Sequence, residues 1–315
     1  MRLPREVAVA ALRHCSVAQL IAATPHNTHT MPDSIEETST ISGDSKATTN
    51  GTTHTAPKTP LFEIQGKTAV HYGVLLFPGF QALDVFGPLD VFNSLSMLYH
   101  FPIKMTMLAK TPDAVETSHQ RAGNQMFSHA DTDCSQSMNI DRTFEEQLKV
   151  QETGVVGQND QGTIDVLIVP GGVGTRNDMS AEIDFVEKMY PSLKAVLSVC
   201  TGATILARAG VLDGRRATTN KRAWEWATSN GPNVNWIGEA RWVVDGNITT
   251  GSGISAGIDA TYAFVSDNYG ETIAQELADS AEYVRWTEPD HDPFATRWNV
   301  EGRRGSLPKE WSKEM

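Results

Sequence analysis

Short, continuous apolar runs separated by stretches with helical spacing organise most of the chain. Such runs occur at residues 72–77, 103–108, 164–169 and 195–199. Runs of this length with little polar alternation are typical of strands buried on both faces of a parallel sheet. Helices are predicted between and after them, one opening at Pro88 and continuing through Leu98, and others at 144–150, 181–190, 203–209 and around Trp224 and Trp226. This alternation predicts an α/β domain with a parallel sheet sandwiched between helices.

The C-terminal third of the chain has a different pattern. Short strands are predicted at 233–237, 240–244 and 248–250, with Asp245-Gly246 as a hairpin turn between the last two. Two long helices are predicted to follow at 255–268 and 271–286, and the stretch from Glu288 is predicted to be a loop. Residues 110–163 are polar and irregular, with a short strand predicted near Met126-Phe127, and part of this segment is interpreted as a surface insertion.

Residues 1–60 are predicted to be a disordered extension and linker. The first 24 residues are mostly apolar with three arginines. They fit an amphipathic mitochondrial presequence, a disordered extension, or an upstream start with Met31 as the true beginning. Residues 38–60 are rich in Ser and Thr, a linker composition. We therefore expect an α/β domain at 61–287 and a C-terminal tail at 288–315.

Charge, apolar run length and cysteine content limit which partners the protein can have and in which cellular compartment it is expected. The net charge is −12, and an acidic body argues against nucleic-acid binding. No apolar run approaches the ~20 residues of a membrane span, so no membrane partner is expected. Cys15, Cys134 and Cys200 are odd in number and widely spaced, which favours a reducing compartment. We expect a cytoplasmic protein, or a mitochondrial one if the presequence interpretation holds.

Cys200 is the candidate nucleophile. It ends the apolar run at 195–199 and is followed by Thr201, a glycine and a helix-forming segment, a pattern that resembles the nucleophile elbow. The start of a helix favours a thiolate. The alternative is a buried structural cysteine, because cysteine is among the most buried residue types.

Other strand ends supply candidate partners for Cys200. Asp84 follows the first strand and is an acid–base candidate, with its proton affinity raised by a neighbouring thiolate, or else a helix-capping acid. Gly171-Gly172 follow the third strand and allow close backbone approach, so the Gly172 and Thr201 amides are candidates for an anion-stabilising pair, or else form a tight turn. The sequence has no phosphate-loop, dinucleotide-binding or metal-ligand motif, and we expect neither cofactor nor metal.

These residues carry a resemblance to a known family. Three motifs occur in order: FPGFQALDVFGPLDVF at 77–92, VPGG at 169–172 and SVCTGA at 198–203. Over about 70–270 the chain resembles the ThiJ/PfpI superfamily, which has a class I glutamine-amidotransferase-like, flavodoxin-type fold. Cysteine followed by threonine, with aspartate in the Leu-Asp-x-x-Gly-Pro position, is similar to the isonitrile hydratase branch.

The resemblance implies a cofactor-free homodimer that adds water to a small-molecule isonitrile and gives an N-substituted formamide. Cys200 would attack the isonitrile carbon, Asp84 would handle protons, Thr201 would assist, and the Gly172 and Thr201 amides would form the anion pocket. The superfamily often has histidine where this chain has Asn220, which weakens mechanisms that need a cysteine–histidine pair.

Two alternatives remain open at this point. One is other cysteine chemistry on this fold, such as glyoxalase-like handling of reactive aldehydes. The other is a non-enzymatic redox or stress-response protein whose Cys200 thiolate is oxidised. A peptidase is not expected, because no histidine follows the cysteine. A transcription factor is also not expected, because the chain is acidic and ends soon after the domain.

Overall fold

The computed structural model describes residues 70–118, 134–154 and 162–300. The strands in this part of the chain are β1 Val70–Leu75, β2 Ile103–Ala109, β3 Val115–Glu116, β4 Ser137–Met138, β5 Arg142–Thr143, β6 Val166–Val169, β7 Ala195–Ser198, β8 Arg216–Ala217, β9 Asn235–Trp236, β10 Trp242–Asp245 and β11 Ile248–Gly251. The α-helices are α1 Ala82–Tyr99, α2 Phe144–Thr153, α3 Ser180–Met189, α4 Ala203–Arg208, α5 Trp224–Ser229, α6 Ile254–Tyr269, α7 Glu271–Ser280 and α8 Pro293–Arg297.

The main sheet has β1 near its centre. Its strand order is β10-β11-β7-β6-β1-β2-β5, and all neighbours are parallel except the antiparallel pair β10 and β11. Every residue of β1, β6 and β7 is buried, because helices cover both faces of these strands. The predicted α/β, flavodoxin-like sheet is confirmed, with one antiparallel edge strand that makes it mixed.

Two groups of helices flank the sheet. Helices α1, α6 and α7 pack against one another, and α2, α3 and α4 form the second group. In the first group, the centre of the Phe92 ring lies 4.3 Å from the ring centre of Tyr72 on β1 and 6.1 Å from that of Phe264 on α6. In the second, Phe144 and Phe185 stack at 4.4 Å between ring centres. Aromatic side chains thus fix α1 on β1 and α2 on α3.

The carboxyl ends of β1, β6 and β7 meet at one edge of the sheet. The N–H of Gln81 donates to the carbonyl of Gly171 at 2.9 Å, and that of Gly174 donates to the carbonyl of Gly79 at 3.0 Å. The N–H of Val199 donates to the carbonyl of Val169 at 3.0 Å. These backbone bonds tie together the three segments that carry the candidate residues.

Helix α1 begins earlier than predicted. The sequence pattern placed its start at Pro88, but the helix starts at Ala82 and contains Pro88. The N–H of Asp84 already donates to the carbonyl of Gln81 at 3.0 Å, which closes the first turn. Proline inside a helix removes a hydrogen bond and crowds the carbonyl four positions earlier, but Pro88 is buried in the core, where tertiary packing offsets that cost. Asp84 therefore lies in the first turn of a helix instead of in a loop.

Helix α7 ends earlier than predicted, at Ser280 instead of residue 286. Glu282 adopts a left-handed conformation with φ of 52°, and the N–H of Tyr283 donates to the carbonyl of Ala278 at 2.9 Å. This is a Schellman-type helix end. Because its left-handed residue is a glutamate, the sequence contains no glycine to mark it.

The hairpin and the C-terminal stretch also differ from the prediction. Asp245 pairs with Ile248, so the turn residues are Gly246 and Asn247, one position later than expected. The stretch from Glu288, predicted as loop, contains the short helix α8. The buried Asp292 caps this helix by accepting the N–H of Phe294 at 3.1 Å, and Pro293 occupies its first turn.

Part of the segment at 110–163 belongs to the fold. Strand β5 adds to the edge of the main sheet next to β2, and α2 packs on α3. The strand predicted near Met126-Phe127 and the whole of residues 1–60 lie outside the described residues. Among the residues that the structure describes, no helix has the length and apolar character needed to span a membrane.

Close packing of α6 on the strand end before Cys200 predicts an unusual effect of Gly257→Ala. A Cβ atom at residue 257 would lie 2.3 Å from Val199 Cγ1 and 2.9 Å from Cγ2. Alanine normally stabilises a helix interior by ~1 kcal/mol relative to glycine. Since Val199 is fully buried, we expect the variant instead to lower the free energy of unfolding by about 1–3 kcal/mol, as overpacking does. Urea denaturation measures this.

The double variant Gly257→Ala, Val199→Ala identifies the cause. Removing the two Val199 methyl groups makes room for the new Cβ, so Gly257→Ala should cost less in the Val199→Ala background than in the wild type. An equal cost in both backgrounds would contradict the assigned contact.

Candidate active site

Cys200 sits in the sharp turn between β7 and the 3-10 helix Cys200–Gly202 that leads into α4. Its φ of 59° lies in the left-handed region, which residues other than glycine rarely adopt. Three hydrogen bonds hold this turn. The N–H of Val199 bonds to β6, the N–H of Gly202 donates to the carbonyl of Val199 at 2.9 Å, and Thr219 Oγ1 donates to the carbonyl of Cys200 at 2.9 Å. The predicted elbow geometry is present.

Asp84 is buried beside the Cys200 thiol. Its Oδ2 atom accepts the N–H of Gly171 at 2.9 Å, while Oδ1 is fully enclosed without a hydrogen-bond partner among the described residues. Burial raises the pKa of Asp84 to about 7, against the lowering effects of the Gly171 amide and of Cys200. The direction agrees with the prediction, but the cause is desolvation and not repulsion by a thiolate.

The Cys200 thiol does not have the lowered pKa that its place at the start of a helix suggested. Burial raises the pKa of Cys200, and the charge of Asp84 raises it further. Hydrogen bonds from the Thr201 N–H, the Asn220 side chain and the Thr201 hydroxyl act in the opposite direction. Helix α4, which follows the turn, has only six residues.

The glycine turn after β6 lies against both other strand ends. A Cβ atom on Gly171 would lie 2.4 Å from the Thr201 nitrogen and 3.0 Å from Asp84 Oδ2. Only glycine permits this approach, which brings Asp84, Thr201 and the turn together. The predicted convergence of Asp84, Gly171, Gly172, Thr201 and Cys200 at one edge of the sheet is therefore observed.

The predicted anion pocket is not open in this structure. The N–H of Gly172 donates to Thr201 Oγ1 at 3.0 Å, and the N–H of Gly171 is taken by Asp84. The Thr201 hydroxyl oxygen also accepts from Thr175 Oγ1 at 3.1 Å. The physical reason is that buried amides need acceptors, and Thr201 supplies one. An anion pocket made by the Gly172 amide requires the Thr201 hydroxyl to turn away.

Asn220 contacts the sulfur, which sequence reasoning did not anticipate. Its Nδ2 atom lies 3.2 Å from Cys200 Sγ. The resemblance stated above singled out residue 220, because it implies histidine where this chain has Asn220, but nothing in the pattern indicated that the Asn220 amide reaches the thiol. Among the described residues, no group of three or more His, Cys, Asp or Glu side chains could hold a metal ion.

The chain is similar to known proteins in sequence and in fold. A model of the DJ-1/PfpI family matches residues 72–267. An isonitrile hydratase of Pseudomonas putida is 33% identical over 220 residues, which cover 69% of this chain and 79% of the hydratase. A deglycase of Pyrococcus abyssi is 34% identical over 115 residues, which cover 35% of this chain and 59% of the deglycase. The crystal structure of a ThiJ/PfpI family protein from Pseudomonas syringae has a TM-score of 0.52 at 24% identity, and the match covers 75% of this chain and 84% of that one.

The raised pKa of Asp84 predicts that the fold loses stability as the pH rises. The folded carboxyl keeps its proton up to a pKa of about 7, against an ordinary value of 3.8. Between these values the folded state binds more protons than the unfolded state, so the free energy of unfolding falls across this window. The loss through this group is about 4 kcal/mol once the pH exceeds the folded pKa. Urea denaturation at a series of pH values measures it.

Asp84→Asn is the matched control for this pH dependence. Asparagine has nearly the same shape and can still accept the Gly171 N–H, but it does not titrate. The difference in unfolding free energy between wild type and variant should therefore shift in favour of the variant as the pH rises. Parallel stability curves for the two proteins would contradict the assignment.

Proposed function

Because the chain belongs to the DJ-1/PfpI family, we propose that it is a cysteine-dependent enzyme of the isonitrile hydratase type. It would be a hydro-lyase that adds water to an isonitrile and yields an N-substituted formamide. The observation that carries the proposal is the placement of Asp84 beside Cys200 in the elbow. The 33% identity to an isonitrile hydratase over 69% of the chain supports it.

In the first proposed step, Asp84 in its carboxylate form takes the proton of the Cys200 thiol, and the sulfur attacks the terminal isonitrile carbon. That carbon then receives the proton back from Asp84, which leaves a thioimidate bonded to the sulfur. A pKa of about 7 suits a group that must both accept and donate a proton near neutral pH. The unpartnered Oδ1 atom of Asp84 is the one free to do so.

In the second proposed step, water attacks the thioimidate carbon while Asp84 accepts one of its protons. Asp84 passes that proton to the imidate nitrogen, which leaves a neutral tetrahedral intermediate, and then takes the proton of its hydroxyl group. The resulting oxyanion forms the C=O bond of the formamide as the C–S bond breaks, and the sulfur leaves as thiolate and takes the proton back from Asp84. Overall, one isonitrile and one water give one formamide, so atoms and electrons balance without an oxidant or a reductant. Thr201 would assist by turning its hydroxyl off the Gly172 amide, which then stabilises the oxygen of the tetrahedral intermediate. Gly171 would keep Asp84 in place.

A second candidate function is glyoxalase-like or deglycase-like chemistry on reactive aldehydes. The 34% identity to a deglycase of Pyrococcus abyssi favours it, although over 115 residues only. In this chain the polar group that contacts the sulfur is the Asn220 amide, which cannot exchange a proton as histidine does. A methylglyoxal assay run beside the isonitrile assay separates the two functions.

Either chemistry needs Cys200 in its reduced form, which fits the cytoplasmic location expected from the cysteine content.

We propose a second copy of this chain as the partner, as family resemblance suggests. An open apolar groove of about 480 Å³ lies between α1, α6 and the end of α7. Its lining includes Leu83, Phe86, Ile258, Tyr262 and Tyr283. Leu83 and Phe86 are 44% and 43% exposed, large apolar side chains that a homodimer contact would cover.

Loss of formamide production tests the proposed nucleophile. We expect Cys200→Ala to abolish conversion of an aliphatic model isonitrile, since no other described cysteine lies at the site, and Asp84→Asn to lower kcat by about 10²–10⁴-fold. Cys134→Ala is the matched control, because Cys134 is an exposed free cysteine and its loss should leave turnover unchanged. Turnover that survives Cys200→Ala would refute the proposed chemistry.

A charge in the groove tests the dimer. We expect Phe86→Glu to shift the protein to monomer in sedimentation velocity, because burying a carboxylate in an apolar contact is unfavourable. Met97→Glu is the control on the same helix, at a side chain that is 67% exposed and outside the groove. A wild type that sediments as a monomer, or equal effects of both substitutions, would contradict the assignment.

A further inference from the structure

Residues 218–221 approach the reacting centre from outside the three strand ends. Two consecutive side chains of this segment contact Cys200. Thr219 donates to its carbonyl at 2.9 Å, and Asn220 Nδ2 donates to its sulfur at 3.2 Å. The strained elbow and its thiol are therefore held by one short stretch of chain.

The orientation of the Asn220 amide is fixed by a second hydrogen bond. Its Oδ1 atom accepts the N–H of Ala223 at 2.9 Å. Since a backbone N–H can only donate, the oxygen must face Ala223 and the NH₂ group must face the sulfur. The contact with Cys200 is thus a donated hydrogen bond and not the result of an arbitrary amide assignment.

The segment is anchored independently of Cys200. The buried Lys221 donates to Thr218 Oγ1 at 2.6 Å and to the carbonyl of Ala240 at 2.7 Å. The N–H of Thr218 donates to Thr250 Oγ1 on β11 at 2.9 Å. Because these bonds tie the segment to β11 and to the chain before β10, Asn220 is in position before any substrate arrives.

The chemistry of this donor differs from that of a histidine. A hydrogen bond donated to sulfur stabilises the thiolate more than the thiol. It therefore works against burial and the Asp84 charge, which favour the thiol. A carboxamide neither gains nor loses a proton in the physiological range, so it adds no ionisation of its own.

We propose that Asn220 is a further catalytic residue of this site, whose amide stabilises the Cys200 thiolate by a donated hydrogen bond and leaves proton transfer to Asp84 alone. The inference rests on Cys200 as the nucleophile of the proposed function, but not on the isonitrile as its substrate.

The ionisation of Cys200 tests this inference directly. Iodoacetamide alkylation of Cys200, followed by mass spectrometry of its peptide across a pH series, gives the midpoint of thiolate formation. Thiolate ultraviolet absorbance, referenced to Cys200→Ala, gives the same midpoint without depending on reagent access. We expect Asn220→Ala to raise the midpoint by about 1 unit, equal to about tenfold slower alkylation below it.

Asn220→Asp separates the donor role from a structural one. Aspartate keeps an oxygen for the Ala223 N–H, so the turn is retained, but it lacks the NH₂ donor and brings a charge near the sulfur. It should raise the midpoint at least as much as Asn220→Ala. Asn233→Ala, at an exposed asparagine whose side chain donates to Asp213 and not to the sulfur, should leave the midpoint unchanged.

The outcomes distinguish this inference from the proposed function. Equal midpoints in wild type and Asn220→Ala would overturn the role of Asn220, whatever the substrate. A raised midpoint in both Asn220 variants, in a protein that makes no formamide from isonitriles, would support the role of Asn220 and reject the isonitrile.

Discussion

The left-handed backbone of Cys200 is the constraint on which the site depends. A φ of 59° at a residue with a side chain costs about 1–2 kcal/mol, and it persists only where the surroundings fix it. Here the surroundings are the bond from Val199 to β6, the bond from Thr219 to the Cys200 carbonyl, and α6 packed against Val199 through Gly257. Were the turn to relax to extended backbone, the sulfur would leave both Asp84 and Asn220. The sheet, α6 and the segment at 218–221 thus all contribute to holding the φ angle of Cys200.

That geometry buries two ionisable groups, the Asp84 carboxyl and the Cys200 thiol, close together. Asp84 and Cys200 are both desolvated, and the charge of Asp84 raises the pKa of the Cys200 thiol, whereas Cys200 lowers the pKa of Asp84. Leaving Asp84 Oδ1 without a partner costs stability, as any buried unpaired acceptor does. The protonated carboxyl reduces that cost and retains a proton within reach of the sulfur. In this site, the feature that weakens the fold at higher pH is the same feature that suits proton transfer.

The sequence was sufficient for the strands, the elbow and the convergence of three strand ends, because buried runs and parallel topology determine where strand ends meet. It was insufficient where tertiary contacts override local signals. Pro88 looked like a helix start, yet the turn bond from Asp84 to Gln81 begins α1 earlier. Glu282 ends α7 in a conformation that glycine usually marks. The raised pKa of Cys200 and the contact with Asn220 depend on burial and on side chains distant in sequence, and neither has a periodic signature.

The occupied Gly172 amide bears on which substrates suit the site. Thr201 Oγ1 accepts the Gly172 N–H and so fills the place that an anion would take, so a substrate that is already negative must displace the hydroxyl in order to bind there. A neutral isonitrile has no such requirement. In the proposed reaction, negative charge on oxygen first develops when the tetrahedral intermediate loses its hydroxyl proton, and only then does the Gly172 amide gain by exchanging the Thr201 hydroxyl for the reacting oxygen. An interaction that strengthens only at that stage lowers the barrier without tightening substrate binding.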